Sequence, residues 1–89
     1  MRVETIPTNE NCRVYWSRVE LSDTIEQADR GCSKPESAIL QLLLAIPGVQ
    51  SVFGNGYKVY VSRSHAYEWE EIEPKIREII EGAEAYLST

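Results

Sequence analysis

Two thiols and one imidazole are the side chains in this sequence best suited to hold a metal: Cys12, Cys32 and His65. Thiolates favour iron and zinc. A structural site of that kind usually takes four ligands at recognisable spacing. Here twenty positions separate the cysteines, and neither has a second cysteine at the two-residue gap of a zinc or redox motif. Free cysteine is among the most buried residue types and behaves as a small hydrophobe. Both thiols therefore read as structural, with no metal or cofactor expected. His65 needs a nucleophile within reach and a third group to orient it before it can act as a base. No Ser/His/Asp spacing supplies them, so the sequence reads as that of a non-enzyme.

Three other groups invite a chemical reading. Glu68, Glu70, Glu71 and Glu73 crowd one short stretch, but calcium loops alternate acids around a turn glycine, and that pattern is absent. Acids in the first turns of a helix suit its positive dipole end. Gly54-Asn55-Gly56 lacks the lysine and the following helix of a phosphate loop and reads as a hairpin turn. The aromatics Tyr15, Trp16, Tyr57 and Tyr60 lie close to Arg13, Arg18, Lys58 and Arg63. Aromatic residues and arginine are enriched where proteins meet. Arg13, Tyr15, Trp16, Lys58, Tyr60 and Arg63 are accordingly the candidate partner-binding residues, with Tyr60 and one of Tyr15 or Trp16 on the open face of a sheet. Packing of these aromatics against one another as cross-strand pairs is the competing account.

The elements that must position these groups follow from pattern. Val3 and Thr5 alternate with charged neighbours as in an edge strand, and Pro7 to Asn11 is a turn-rich loop. Arg13 to Trp16 is a strand, and Val19–Leu21 and Thr24–Glu26 are two further short extended pieces. After Pro35 a helix begins, capped by Ser33 or Ser37. Its Ile39, Leu42, Leu43 and Ile46 form the core-facing stripe, widened by Leu40 and Leu44, and Pro47-Gly48 ends it. Val49–Phe53 and Tyr57–Ser62 make an antiparallel hairpin around Gly54-Asn55-Gly56, with Tyr57, Val59 and Val61 on one face. A last helix runs from about Tyr67 or Glu68 to about Leu87. Trp69, Ile72, Ile76, Ile79, Ile80 and Ala83 share its inner face, and Pro74 sits awkwardly within it. The order β-β-(β)-α-β-β-α gives an α+β two-layer sandwich: an antiparallel sheet of about four or five strands with two helices on one face.

Composition sets the limits. Eighty-nine residues make one domain. Leu, Ile, Val and Phe are about a quarter of the chain, which excludes a disordered tail. The net charge is −5. Residues 1–65 are balanced, so the excess lies in residues 66–89, where seven acids face Lys75 and Arg77. No cluster of Lys and Arg is present to neutralise phosphates, so neither nucleic acid nor an anionic membrane is an expected partner. No leader sequence is visible, and the apolar run Ile39–Ile46 is too short to span a bilayer. A cytoplasmic protein with reduced thiols is the expectation.

With these elements placed, the chain resembles the N-terminal domain of the NifU-like (Nfu-type) iron–sulfur cluster scaffold proteins. The likeness begins at Glu4-Thr5-Ile6-Pro7-Thr8-Asn9-Glu10-Asn11, similar to that family's opening strand and Pro-Thr-Pro-Asn-Pro-Asn-like loop. It continues through Leu43-Leu44-Ala45-Ile46-Pro47-Gly48-Val49-Gln50-Ser51-Val52-Phe53 and Val59-Tyr60-Val61-Ser62-Arg63. It ends in Trp69-Glu70-Glu71-Ile72-Glu73-Pro74-Lys75-Ile76, where Pro74 belongs to the family pattern. The family's proline after the first serine of the first helix is Ala38 here, and the opening loop keeps only Pro7 of its prolines. The longer proteins continue into a second domain whose Cys-x-x-Cys binds the cluster, and no such pair occurs in these residues. The resemblance implies a non-enzymatic accessory module that docks protein partners of the iron–sulfur assembly machinery, as a monomer or weak dimer. The alternative, which rests on the two thiols and not on the resemblance, is direct carriage of iron or a cluster by Cys12 and Cys32, two chains supplying four ligands.

Overall fold

In the computed structural model, which describes residues 1–87 and side chains as far as Tyr86, seven elements follow in the order β-β-β-α-β-β-α. They are β1 (Arg2–Thr5), β2 (Cys12–Trp16), β3 (Ser22–Asp29), α1 (Ala38–Ala45), β4 (Val49–Gly56), β5 (Lys58–Arg63) and α2 (Trp69–Leu87). The five strands form one antiparallel sheet in the order β1-β2-β5-β4-β3. Both helices cover one side of it. This is the α+β two-layer arrangement that the sequence implies.

The β4–β5 hairpin sets the register of the whole sheet. Asn55 pairs with Lys58, Gly54 with Val59, Phe53 with Tyr60 and Val52 with Val61. The loop is thus Gly56-Tyr57, one step later than the expected Gly54-Asn55-Gly56. Gly56 supplies the positive φ, +63°, that a two-residue hairpin loop requires. Tyr57 stands in that loop and is exposed, not on the inner face with Val59 and Val61. Gly54 serves a different end. It lies in the strand beneath α1, and a Cβ there would come within 2.6 Å of Leu40 Cδ1.

That contact also fixes the rotation of α1. The helix is capped by Ser37, whose Oγ accepts from Leu40 N at 3.4 Å. Leu40, Leu43 and Leu44 are buried, while Leu42 is 56% exposed. The inner stripe is therefore turned from the expected Ile39-Leu42-Leu43-Ile46. A helix so evenly apolar has no polar side to orient it. The seat for Leu40 over Gly54 and the clasp of Arg30 on the carbonyls of Leu44 (2.7 Å) and Ile46 (2.5 Å) decide the matter.

Of the two expected extended pieces, Val19–Leu21 is not a strand but irregular chain leading into β3, whereas Thr24–Glu26 falls within β3, which has an irregularity between Ser22 and Glu26. Ser22 Oγ donates across it to Thr24 O (2.5 Å) and Glu26 Oε2 (2.8 Å). The Glu26 carboxylate in turn accepts from Glu36 N at 2.6 Å, tying β3 to the start of α1. In α2, Trp69, Ile72, Ile76 and Ile80 are buried as their spacing requires. Pro74 withdraws the donor that the carbonyl of Glu70 would have received. Glu70 is exposed, so water can serve it. Ile72, Ile76 and Ile80 meet Leu40, Leu43, Val52, Val59, Val61 and Tyr15 in one core.

Candidate docking face

Side chains alternate across a strand, and the register assigns every residue to a side. Tyr15, Val59, Gly54 and Ala28 face the helices. Glu4, Val14, Tyr60, Phe53 and Gln27 stand opposite one another on the other side, one from each strand in a single row. The neighbouring row is Arg2, Trp16, Lys58 and Asn55. No helix among the described residues covers these rows. Half-exposed aromatic rings therefore form the floor of an open face, over a shallow depression lined in part by Gln27, Phe53, Asn55, Lys58 and Tyr60.

The rings are held in place by their neighbours. Phe53 and Tyr60 meet edge to face, with centroids 5.7 Å apart at 80°, a favoured aromatic geometry. The Trp16 indole N–H donates to Glu4. The Arg2 guanidinium lies 5.1 Å from the Trp16 ring centroid and the Lys58 ammonium also 5.1 Å from it, with Lys58 5.4 Å from Tyr60. Val14, paired with Tyr60 in this row, is only 7% exposed. The face is thus apolar at its centre and positive at the Trp16–Lys58 end, and each of its rings is in contact with another ring or a charged neighbour.

The six residues expected from sequence divide three ways. Trp16, Lys58 and Tyr60 come together on the open face. Tyr15 does not: it is wholly buried under α2, and its hydroxyl donates to Glu73 Oε2 at 3.0 Å. Burial and the adjoining Glu73 charge push its phenol well above the ordinary range. Of the pair Tyr15 and Trp16, the outward member is Trp16. Arg13 and Arg63 are also on the helix side, by the same alternation. They flank Trp69 at 4.6 and 5.9 Å from its ring. Arg13 pairs with Glu73, while Arg63 donates to Tyr67 O (2.6 Å) and Asn11 Oδ1 (2.8 Å). Trp69 Nε1 donates to Glu10 O at 2.8 Å. These residues bind the opening loop to the start of α2 and are removed from the candidate face. Phe53, Arg2 and Glu4 were missed. Pairing Phe53 with Tyr60 needs the loop at Gly56-Tyr57, and only the placement of Gly54 under Leu40 reveals that.

Cys12 is buried at the end of β2, and Cys32 is exposed beyond β3. The row Cys12–Ser62–Ser51–Asp29 crosses three strand spacings, about 14 Å at roughly 4.8 Å each, and Cys32 lies in the turn after Asp29. Burial raises the Cys12 thiol above its usual value, partly offset by a hydrogen bond with Ser62, so it is protonated at neutral pH. Among the described residues no three His, Cys, Asp or Glu side chains cluster as metal ligands would.

A one-sided five-stranded antiparallel sheet with a β-β-β-α-β-β-α order defines a small α+β two-layer domain with one aromatic-bearing sheet face left uncovered among the described residues. The chain belongs to the family described as scaffold protein Nfu/NifU N-terminal, whose model matches residues 2–85. Membership links it to iron–sulfur cluster assembly. The crystal structure of protein SAV1430 from Staphylococcus aureus is similar at 20% identity, with a TM-score of 0.72 over 89% of this chain and 94% of that one. A NifU-like protein from Saccharomyces cerevisiae matches at 23% identity and a TM-score of 0.68, over 96% of this chain and 77% of that one. SeR13 from Staphylococcus epidermidis matches at 17% identity and a TM-score of 0.59, over 93% and 95%. At these identities the likeness is one of fold. No curated protein matches the chain. No helix among the described residues is long and apolar enough to cross a membrane.

Proposed function

We propose that the chain works without catalysis, as a protein-docking module for iron–sulfur cluster assembly, and that it docks through Trp16, Phe53, Lys58 and Tyr60. One observation carries the reading: both helices lie on one side of the sheet, leaving the other with a row of aromatic rings. Rigid aromatic anchors are the usual centre of binding energy at protein interfaces, and rings held before contact lose little entropy on binding. The same reading places the work in the cytoplasm, with Cys12 and Cys32 as free thiols, and the chain as a monomer or weak dimer.

The test is affinity capture from native extract with mass spectrometry, comparing wild type with the double variant Phe53→Ala, Tyr60→Ala. Wild type should recover cluster-assembly proteins. The variant should lose them while its thermal unfolding midpoint falls by only a few degrees. Equal recovery by both would remove the open face from the reading. Arg63→Glu is the wrong probe, since Arg63 holds the opening loop.

A further inference from the structure

At the Trp16 end of the open face the charges do not balance. Arg2 has Glu4 at 3.6 Å. Lys58 has no carboxylate partner among the described residues; its ammonium is met only by the Trp16 and Tyr60 rings. A cation over aromatic faces is attracted by the ring quadrupoles, yet it keeps its charge and donors for a partner. The Trp16, Tyr60 and Phe53 rings give one side of this setting an apolar surface, so an anion brought there beside a partner's apolar side chains would be partly desolvated and its interaction with the ammonium strengthened.

We propose that the partner docked on this face presents a carboxylate, from Asp or Glu beside apolar side chains, to the Lys58 ammonium, with the apolar side chains seated on Phe53 and Tyr60. The inference rests on the docking reading above and names the chemistry of its occupant. An RNA strand would stack bases on the same rings, but it would need a run of cations to track its phosphates. The face offers Arg2, already paired, and Lys58. A second copy meeting this one face to face would bring Glu4, which is already held by Arg2 and the Trp16 indole, and its exposed α2 acids lie on the opposite side of the molecule. Contact between one chain's open face and another's helix is head-to-tail and need not close.

The experiment is selection of binders from a random twelve-residue peptide display library against the full chain, followed by backbone-amide NMR mapping of one enriched peptide. Enriched peptides should carry Asp or Glu next to aliphatic or aromatic residues, and shifts should centre on Trp16, Phe53, Lys58 and Tyr60. Lys58→Glu should weaken binding by about tenfold or more, and exchanging the peptide's acid for lysine should restore binding to that variant. Lys58→Gln serves as the charge-removed control should the reversal disturb the hairpin. Four results would overturn the proposal. The first is affinity that Lys58→Glu leaves unchanged but Tyr60→Ala abolishes; docking at this face would then survive and its acidic partner would not. The second is enrichment of basic or uncharged peptides. The third is tighter binding of an oligouridine eight-mer through the same rings, and the fourth is shifts produced by concentration alone, as self-association would give. Shifts confined to other surfaces would instead defeat the docking reading itself.

Discussion

The two sides of the sheet are made from the same strands and differ in kind. The covered side is mainly aliphatic, with Val49, Val52, Val59 and Val61 beneath Leu40, Leu43, Ile72, Ile76 and Ile80, all essentially without exposure, and its one strand-borne ring, Tyr15, is wholly buried among them. The open side is aromatic and polar, with Trp16, Phe53 and Tyr60 half exposed among Arg2, Glu4, Lys58 and Asn55. Aliphatic side chains fill a core at crystal-like density. Aromatic rings offer large area at small entropy cost and tolerate partial exposure. Under the docking proposal, the difference separates the work of staying folded from that of meeting a partner, residue by alternate residue.

The largest effect should come from breaking the covered side. Ile76→Ala removes a fully buried side chain at the centre of the core and should cost about 2–5 kcal/mol. In a domain this small that lowers the unfolding midpoint by roughly 10–30 °C. Phe53→Ala, one strand layer away on the open side, should cost about 1 kcal/mol, the scale of a cross-strand pair. Calorimetry of the two variants measures the contrast. Comparable losses would mean that the open face is structural.

Most of the fold was legible in the sequence because its signals are local. The isoleucine spacing of α2, the Pro47-Gly48 stop and the valine alternation of β5 each act within a few residues. The candidate site was only half legible, because its membership depends on register. Placing the hairpin loop at Gly54 sets Phe53 opposite Tyr57 and hides the Phe53–Tyr60 pair. Lacking the β2–β5 pairing, nothing in Arg13-Val14-Tyr15-Trp16 tells which alternate pair lies under a helix. Arg13 and Arg63 looked like surface cations because their partners, Glu73, Tyr67 O and Asn11, are distant in sequence or on the backbone.

A middling effect should follow from the charges at the margin of the covered side. Burial alone would raise the Glu73 carboxyl, but hydrogen bonds from Arg13 and Tyr15, the Arg13 charge and Arg77 together hold it below the ordinary 4.5. Burial is likewise outweighed at Glu84 by the Arg18 backbone N–H and by the Met1 ammonium at 3.3 Å. A carboxyl lowered in the folded state contributes stability that is fully present above its unfolded value and is lost as pH falls through the folded one. Denaturant midpoints should therefore be level near neutrality and fall steeply below about pH 4.5. Glu73→Gln should lose about 1–3 kcal/mol at pH 7, the scale of hydrogen bonds to a charged group, and should flatten the acid limb. Lys58→Gln on the open side should leave that limb unchanged. An acid limb equally flattened by both substitutions would erase the distinction between the sides.

The smallest effect is expected at the thiols, and it bears on which part of the molecule does the work. Cys32→Ser, at an exposed turn, should alter stability by no more than about 0.5 kcal/mol. Cys12→Ser replaces a buried thiol that already engages Ser62 and should cost somewhat more. Neither should change how the protein looks after anaerobic incubation with iron and sulfide, which should leave it colourless. The grounds are spatial and electrostatic: β5 and β4 stand between the two cysteines, and burial keeps Cys12 in the protonated form that metals bind poorly. A visible charge-transfer band that disappears in Cys32→Ser would show two chains sharing a cluster through their exposed turns. Function would then sit at the rim of the sheet, and the aromatic face would have to be explained as a surface that packs only against itself.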